Sequence, residues 1–459
     1  MAQQIDLTFK QGSVIAAGEN EKITQLGFFV MDPRTGEWRA KACDYREVVL
    51  NLIDLKLPYE DRARGYETLN LHYKKPLTPR PHQRDALEAW KKNGSRGVIS
   101  LPTGSGKTMI AVMAIAMVHR ATLVVVPTID LLHQWRDVLE SYLDVPVQLL
   151  GGGNKGLGSI TVSTYDSARM VIEEAGDRFG LIVFDECHHL PAPHYQFIAI
   201  AALAPYRLGL SATVERADGK ESVIYDLLGP LVYEGKVTDL VSKSLAPYDV
   251  VSLEVPLTKD EQEAYARNRE LYLNFIFRSG LNFSERGSWN RFLFLSTRSQ
   301  EGRNALLAYR EQKRIAQRAV RKFDCLWDLL TTHTQDQMLI FTDDNEMAYK
   351  IGCQFVLPVL THRTKDKERK KFLSAFRNGE IKVLVTSKVL NEGVDVPDAS
   401  VGVIVSGSSA VREHVQRLGR ILRQKPDKRA VLYEILAKGT NEIDVNKRRR
   451  RHDAYEGTR

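Results

Sequence analysis

The octapeptide Leu101-Pro-Thr-Gly-Ser-Gly-Lys-Thr108 constrains this chain more than any other feature. It follows the apolar run Gly97-Val-Ile-Ser-Leu101 and opens an apolar helical stretch. A glycine-rich turn between a buried strand and a helix points backbone N–H groups at a phosphate. Thr103, Gly104, Ser105 and Gly106 would form the cradle. Lys107 would reach the β- and γ-phosphates, and the Thr108 hydroxyl would bind Mg²⁺. Leu101 stands where the pattern usually has glycine. A turn that merely caps a helix is the plainer reading, and the flanking strand and helix argue against it.

The neighbouring pattern extends that strand–helix unit into a sheet. Thr122–Val126, Ile160–Ser163, Leu181–Phe184 and Arg207–Leu210 are short apolar runs separated by helical stretches. Runs of that length, apolar on both faces, suit parallel strands covered by helices. A second set starts near Cys325: Gln337–Phe341, Val383–Thr386, Val401–Val405 and Ala430–Tyr433. The expected fold is therefore α/β, with two parallel-sheet lobes at 76–245 and 323–440. A small α+β unit at 1–75 precedes them. In it a strand at Leu26–Met31, the turn Asp32-Pro33-Arg34-Thr35-Gly36 and a helix at Arg46–Leu55 are expected. A helical insertion with its linker, 246–322, lies between the lobes, and 441–459 is a basic tail.

Val183-Phe-Asp-Glu-Cys-His-His189 ends one buried strand with two carboxylates. With a phosphate loop in the same parallel sheet, both fall at the C-terminal strand edge, where such sheets bind ligands. Asp185 would hold Mg²⁺ and Glu186 would activate the attacking water. Taken alone, the carboxylates could equally cap the next helix. His188, His189 and His194 raise a zinc reading. No fourth ligand is evident, so His188 reads better as a polar bridge. Gln416-Arg-Leu-Gly-Arg-Ile-Leu-Arg423 in the second lobe puts Arg420 and Arg423 on one helical face. They could steady a γ-phosphate, or simply form a solvated basic face.

Charge suggests a polyanionic partner through its distribution rather than its total. The net charge is +8 over 459 residues, with 43% hydrophobic and 27% charged residues, as in ordinary globular proteins. Residues 259–322 hold 14 Lys/Arg against 7 Asp/Glu, and 447–459 hold 6 against 2, so the surplus is clustered. Cys43, Cys187, Cys325 and Cys353 form no CxxC pair, which argues against an iron–sulfur cluster and fits a reducing cytoplasm. The N-terminus lacks the pattern of a signal peptide, and the run Met109–Val118 is too short for a bilayer. No membrane role is expected.

Gln83, the phosphate loop, Asp-Glu-Cys-His, Ser211-Ala-Thr213 and the Gln416–Arg423 run occur in an order that resembles superfamily 2 helicases of the DExH kind. More narrowly, Thr161–Ala168, Leu390–Asp398 and Gln416–Arg423 resemble archaeal xeroderma pigmentosum group B (XPB) helicases. The resemblance is dense from about Thr78 to Thr440. It implies two RecA-like lobes sharing one ATP site, a damage-recognition-like domain before them and a thumb-like insertion at about 259–322. It implies that Gln83 reads adenine, and that Ser211 and Thr213 couple hydrolysis to movement. Gly393 and Asp395 would lie near the nucleotide, with Gln416, Arg420 and Arg423 facing the γ-phosphate. Thr164 and Thr386 would touch the nucleic-acid backbone. It further implies 3'-5' action in nucleotide excision repair and, by the habit of archaeal members, a nuclease partner. One departure stands out. The family's Arg-Glu-Asp triplet, implicated in opening duplex, is Arg216-Ala217-Asp218 here.

In the insertion, Arg278, Arg286, Arg291 and Arg298 alternate with Phe277, Phe283, Trp289, Phe292 and Phe294. Arginines would hold phosphates while an exposed aromatic stacks on bases. The same aromatics could instead form a small core. Trp289, expected in a loop beside Gly287 and Ser288, is the preferred exposed ring. The tail Lys447–Arg451 could add DNA affinity or be a charged end. The leading expectation is an ATP- and Mg²⁺-dependent DNA helicase or duplex translocase, binding without sequence preference. A nucleotide-switched DNA-opening module and an RNA helicase remain the alternatives.

Overall fold

The computed structural model describes residues 4–102, 104–212, 219, 221–235, 248–283, 287–387, 399–406 and 430–449. The chain divides into two compact units, the first within Met1–Leu240 and the second from Val241 onward.

The first unit begins with a five-stranded sheet in the order β3-β4-β2-β1-β5. Its strands are β1 (Ile5–Lys10), β2 (Ser13–Ala17), β3 (Val30–Asp32), β4 (Glu37–Lys41) and β5 (Tyr59–Arg62). The expected strand at Leu26–Met31 is shorter and later. Residues up to Gln25 form a helix, and Leu26 and Phe29 turn into the core instead of alternating. The Asp32–Gly36 turn closes the β3–β4 hairpin, with Gly36 N–H donating to the Asp32 carbonyl at 2.8 Å. The helix Tyr45–Asp54 buries Tyr45, Val48 and Leu52 on one face. This core extends onto the adjacent α/β lobe through Leu203. The Arg46 guanidinium ties the two further, donating to the Gly94 carbonyl at 2.6 Å.

The lobe is an eight-stranded sheet in the order β13-β6-β12-β11-β7-β10-β8-β9. Its strands are β6 (Arg96–Ser100), β7 (Thr122–Val126), β8 (Val147–Gly151), β9 (Asn154–Lys155), β10 (Ile160–Thr164), β11 (Leu181–Asp185), β12 (Tyr206–Ser211) and β13 (Leu231–Glu234). All neighbours are parallel except β8 and β9. β7, β10 and β11 are buried at every residue; β7 and β11 are apolar at all but one position each, while β10, Ile-Thr-Val-Ser-Thr, carries three buried hydroxyl residues. The helix Lys107–Val118 is apolar all round because residues Ile110–Ala116 are all buried. Among the described residues, no helix is long and apolar enough to cross a membrane.

The second unit carries a six-stranded parallel sheet in the order β14-β19-β18-β15-β17-β16. Its strands are β14 (Tyr248–Val255), β15 (Met338–Phe341), β16 (Val359–Leu360), β17 (Val383–Thr386), β18 (Val401–Ile404) and β19 (Ala430–Ala437). β14 lies in the segment expected to be insertion and linker. It pairs with β19 over its whole length, so the chain joins this sheet before building the insertion. The insertion is three helices, Lys259–Arg278, Ser288–Arg298 and Gln300–Gln317. The first opens on a capping box: Thr258 Oγ1 accepts from Glu261 N–H, and Glu261 Oε2 accepts from Thr258 N–H. Phe275, Leu281, Phe292 and Ala305 form its core.

A buried ion pair fastens the insertion's far end to the sheet. Lys322, in the helix Arg321–Thr332, has a fully buried side chain. Its ammonium donates to the Val405 carbonyl at 2.8 Å and to both Glu442 oxygens at 3.0 and 2.8 Å.

Candidate ATP site

Three neighbouring parallel strands, β6, β12 and β11, end at one edge, and each delivers a motif. β6 runs into the phosphate loop, β12 ends at Ser211 and β11 ends at Asp185. The register aligns Ser100 with Ser211 and Leu210 with Asp185, and Leu101 N–H donates to the Ser211 carbonyl at 2.9 Å. Sheet pairing alone therefore brings together segments more than a hundred residues apart in sequence.

The loop is held from below. Gly104 and Gly106 have φ of 84° and 86°, the left-handed region glycine tolerates. Gly106 caps the helix that starts at Lys107, so the helix's free N–H groups face the loop. Gln83, 4% exposed, accepts from Arg80 N–H and donates to the Ser105 and Gly106 carbonyls at 3.1 and 3.3 Å. A Cβ at Gly106 would collide with that amide nitrogen. His82 Nε2 lies 2.9 Å from the Ser105 carbonyl oxygen. The side chain expected to read adenine thus also braces the loop. Lys107 Nζ donates to the Leu101 carbonyl at 2.9 Å, curled over the loop.

The carboxylate pair is built under electrostatic tension. Asp185 and Glu186 are 7% and 9% exposed. Burial, then the Glu186 charge, pushes the Asp185 carboxyl up to about 6. The indole N–H of Trp135, donating to Asp185 Oδ2 at 2.8 Å, and the charge of Lys107 pull the other way. Glu186 is a non-glycine residue at φ 48°, a conformation that costs on the order of 1 kcal/mol and gathers at functional sites. The bend starts the short turn Cys187–His189, which returns His188 against β12. His188 Nδ1 lies 3.1 Å from Ser211 Oγ and 3.3 Å from Glu186 Oε2.

The oxygen donors fit a hard cation shared with phosphates. Mg²⁺ takes one or two protein ligands there and the rest from substrate and water. A buried carboxylate pair whose mutual repulsion raises one member is what a cation would relieve. Among the described residues, no group of three or more His, Cys, Asp or Glu could hold a metal by itself. His188 Nδ1 faces Ser211 and Glu186, the polar bridge expected of it.

Trp135 and Tyr165 went unassigned at the sequence level. Tyr165 follows Thr164 and is 2% exposed, and its hydroxyl donates to the Asp185 carbonyl at 3.1 Å. Trp135 lies on the buried Leu131–Trp135–Leu139 face of the helix Ile129–Tyr142. Its i, i+4 spacing looks like ordinary core, and nothing local marks the indole N–H.

The expected nucleic-acid contacts are placed less simply. Thr164 caps the helix Tyr165–Ala175 and donates to Ser167 Oγ at 3.0 Å. Thr386 is fully buried, with its hydroxyl donating to the Ser387 carbonyl at 2.9 Å. A phosphate contact would require that hydroxyl to be released. Trp289 is in the first turn of a helix, not a loop. It is 40% exposed and packs on Phe292 and Tyr309 at 5.3 and 5.0 Å between centroids. The insertion's aromatics divide: Phe275 and Phe292 form the core, while Phe277 is 88% exposed. Thr103, Thr213, Arg216, Asp218, Gly393, Asp395, Gln416, Arg420 and Arg423 lie outside the described residues.

Comparison with known proteins agrees with this arrangement of motifs. Residues 7–63 match the xeroderma pigmentosum group B helicase damage recognition domain. Residues 76–216 match the res subunit of type III restriction enzymes, and 321–425 the helicase conserved C-terminal domain. A protein of Sulfurisphaera tokodaii named DNA 3'-5' translocase XPB2 is 40% identical over 413 residues, 90% of this chain and 93% of its own length. The chain belongs to the XPB helicase family. A Kineococcus radiotolerans protein named DNA 3'-5' helicase XPB is 30% identical over 88% of this chain and 69% of its own. The solved Hef helicase domain of Pyrococcus furiosus superposes with a TM-score of 0.54 at 20% identity, covering 80% of this chain and 97% of that one. That likeness shows the two-lobe α/β helicase fold. The stretch similar to the damage recognition domain holds most of the first sheet, and the other two matched stretches hold β6–β12 and β15–β18 of the parallel sheets.

Proposed function

We propose that this XPB-family chain is an ATP-dependent DNA helicase or duplex translocase acting 3'-5'. The convergence of the phosphate loop, Asp185–Glu186 and Ser211 on three adjacent strand ends carries the reading. Lys107 and the helix N-terminus would hold the phosphates, and Glu186 would take the proton of the attacking water. Thr108 and Asp185 would hold Mg²⁺, which supplies charge neutralisation at the β- and γ-phosphates. Gln416, Arg420 and Arg423 of the second lobe would face the γ-phosphate. The link from Glu186 through His188 to Ser211 would pass the state of the nucleotide to the segment leading to Arg216 and Asp218.

The N-terminal domain and the basic insertion would engage DNA, with Arg291 among the insertion's exposed arginines. We place the protein in the cytoplasm, in keeping with its four free cysteines. Nucleotide excision repair and a nuclease partner follow from the family resemblance alone. The test is steady-state ATP turnover without nucleic acid, then with single-stranded, duplex and forked DNA and RNA of one sequence. Stimulation by DNA over RNA, abolished by Lys107→Ala, is expected. Unimpaired turnover in that variant would reject the ATP site, and equal stimulation by RNA would reject the DNA assignment. Ala217 motivates a second reading, a clamp that opens DNA without processive unwinding, which the names of the XPB relatives do not favour. Strand displacement on a 3'-tailed duplex separates the two.

A further inference from the structure

Gln312, on the helix Gln300–Gln317, is 1% exposed, and its side-chain Nε2 and Oε1 both lack a hydrogen-bond partner among the described residues. A buried amide without partners is costly, and natural folds rarely keep one idle. This one lines a cavity of about 610 Å³ within the second unit. That volume lies in the range of pockets that take small organic ligands, about 300–1,000 Å³.

The walls define the chemistry. Tyr272, Trp289 and Tyr309 line one side, and Tyr309 stands 5.1 Å from Tyr272 and 5.0 Å from Trp289 between ring centroids. Ile435 lines the cavity from the sheet. The rings are tilted 47° and 54° to one another, so a flat base would stack on one of them at a time. The amide adds one donor group and one acceptor side by side, the complement of the donor–acceptor edge of a nucleobase. Because an amide can turn over and exchange its donor and acceptor, it does not demand one base. Lys313, exposed and lining the same cavity, would supply a positive charge for a sugar–phosphate backbone; of the two carboxylates that also line it, Glu442 is paired with Lys322 and Asp444 lies in the first turn of the helix Asn441–Arg449.

We infer that this cavity accepts an unstacked nucleobase of a bound strand, stacked against the aromatic wall and hydrogen-bonded by Gln312. The inference rests on the reading of the chain as a DNA motor. Stacking of a base on protein aromatics is sequence-tolerant, in keeping with a motor that must grip any sequence. Lodging a base here keeps it out of a duplex without using the carboxylate that Ala217 replaces.

The test uses the full chain and one single-stranded oligonucleotide carrying internal 2-aminopurine and a fluorescein end label. Anisotropy reads total binding, and 2-aminopurine emission reads where the base sits. Wild type should change both together. Gln312→Met, close in volume, should keep anisotropy binding within about twofold. At saturating protein, the ratio of lodged to unlodged base read by the emission amplitude should fall by about tenfold, the loss expected when a base edge goes unpaired. Gln312→Leu should behave alike, and neither variant should melt below wild type. A lower melting temperature in both would show that the fold itself uses the amide and would overturn the inference. Strand binding with unchanged emission, or with the same emission change in Gln312→Met, would also overturn it and leave the motor reading intact. Absence of strand binding would remove both. Free 2-aminopurine riboside binding as tightly as the strand would overturn the strand as the source of the base.

Discussion

The imidazole Nδ1 of His188 stands 3.1 Å from the Ser211 hydroxyl, joining the ends of two adjacent strands. The same nitrogen is 3.3 Å from Glu186 Oε2. Protonated, Nδ1 can donate fully to only one of them. Bare, it accepts from Ser211 and repels the carboxylate. A change of charge at Glu186 would therefore be felt at β12 through this ring. His188→Ala and Ser211→Ala should each lower DNA-stimulated ATP turnover by about tenfold or more, and the double variant should cost little beyond the worse single one. Additive losses in that cycle would show that the two side chains act separately.

Asp185 should set a pH limit on turnover. Its carboxyl is pushed up to about 6, and catalysis needs the ionised form. The acid limb of kcat/KM for ATP should therefore fall as pH drops through about 6. Trp135→Phe deletes the indole N–H that stabilises the carboxylate at 2.8 Å. It should move that limb to higher pH by about half a unit to one unit. A limb that stays put would place the controlling group elsewhere.

The same burial affects nucleotide-free stability. The folded-state value lies above the ordinary 3.8, so the fold favours the neutral acid. This stabilising contribution is complete below about pH 4 and is lost as pH rises through about 6. At pH 8 without Mg²⁺ or nucleotide, Asp185→Asn should raise stability by about 1 kcal/mol while abolishing turnover. The gain stays below the full shift because the amide has one acceptor oxygen for two donors, Glu186 N–H and the Trp135 indole N–H, which stand 3.1 and 2.8 Å from the two Asp185 oxygens. Calorimetric melting of the two proteins tests the sign.

The Lys322–Glu442 pair should respond unequally to its two deletions. Removing the carboxylate leaves an ammonium at 0% exposure with the Val405 carbonyl. Removing the ammonium leaves a carboxylate at 16% exposure that still accepts from Ala437 N–H at 2.9 Å. Glu442→Leu should cost about 3 kcal/mol, Lys322→Met clearly less, and the double variant less than Glu442→Leu alone. Denaturant titration of the four proteins measures all three differences.

The phosphate loop and the buried strands were legible in sequence because they obey local rules. Glycines mark the loop, and β7 and β11, covered on both faces, are apolar at all but one position each. The bracing of that loop by His82 and Gln83 was not legible. Nor was the indole bond to Asp185, since Trp135 obeys helix periodicity and its polar end meets Asp185 only across the sheet. Trp289 was misplaced in a loop because Gly287-Ser288 reads as a turn. Gly287, at φ 86°, is in fact the cap that starts the helix. β14, Tyr-Asp-Val-Val-Ser-Leu-Glu-Val, lies inside the range read as insertion and linker, and nothing local ties it to the second sheet. Its pairing partner, β19, comes much later in the chain.

That pairing has a consequence for biosynthesis. β14 is the first strand of its sheet to leave the ribosome and β19 the last, yet the two are zipped along eight residues. This is a contact of very long sequence separation, and such contacts form slowly. Until β19 emerges, β14 is an edge without its neighbour, and Lys322 has no Glu442. A nascent chain halted short of β19 would hold an incomplete second lobe, exposed to aggregation and proteolysis, beside a first lobe whose strands have all been made.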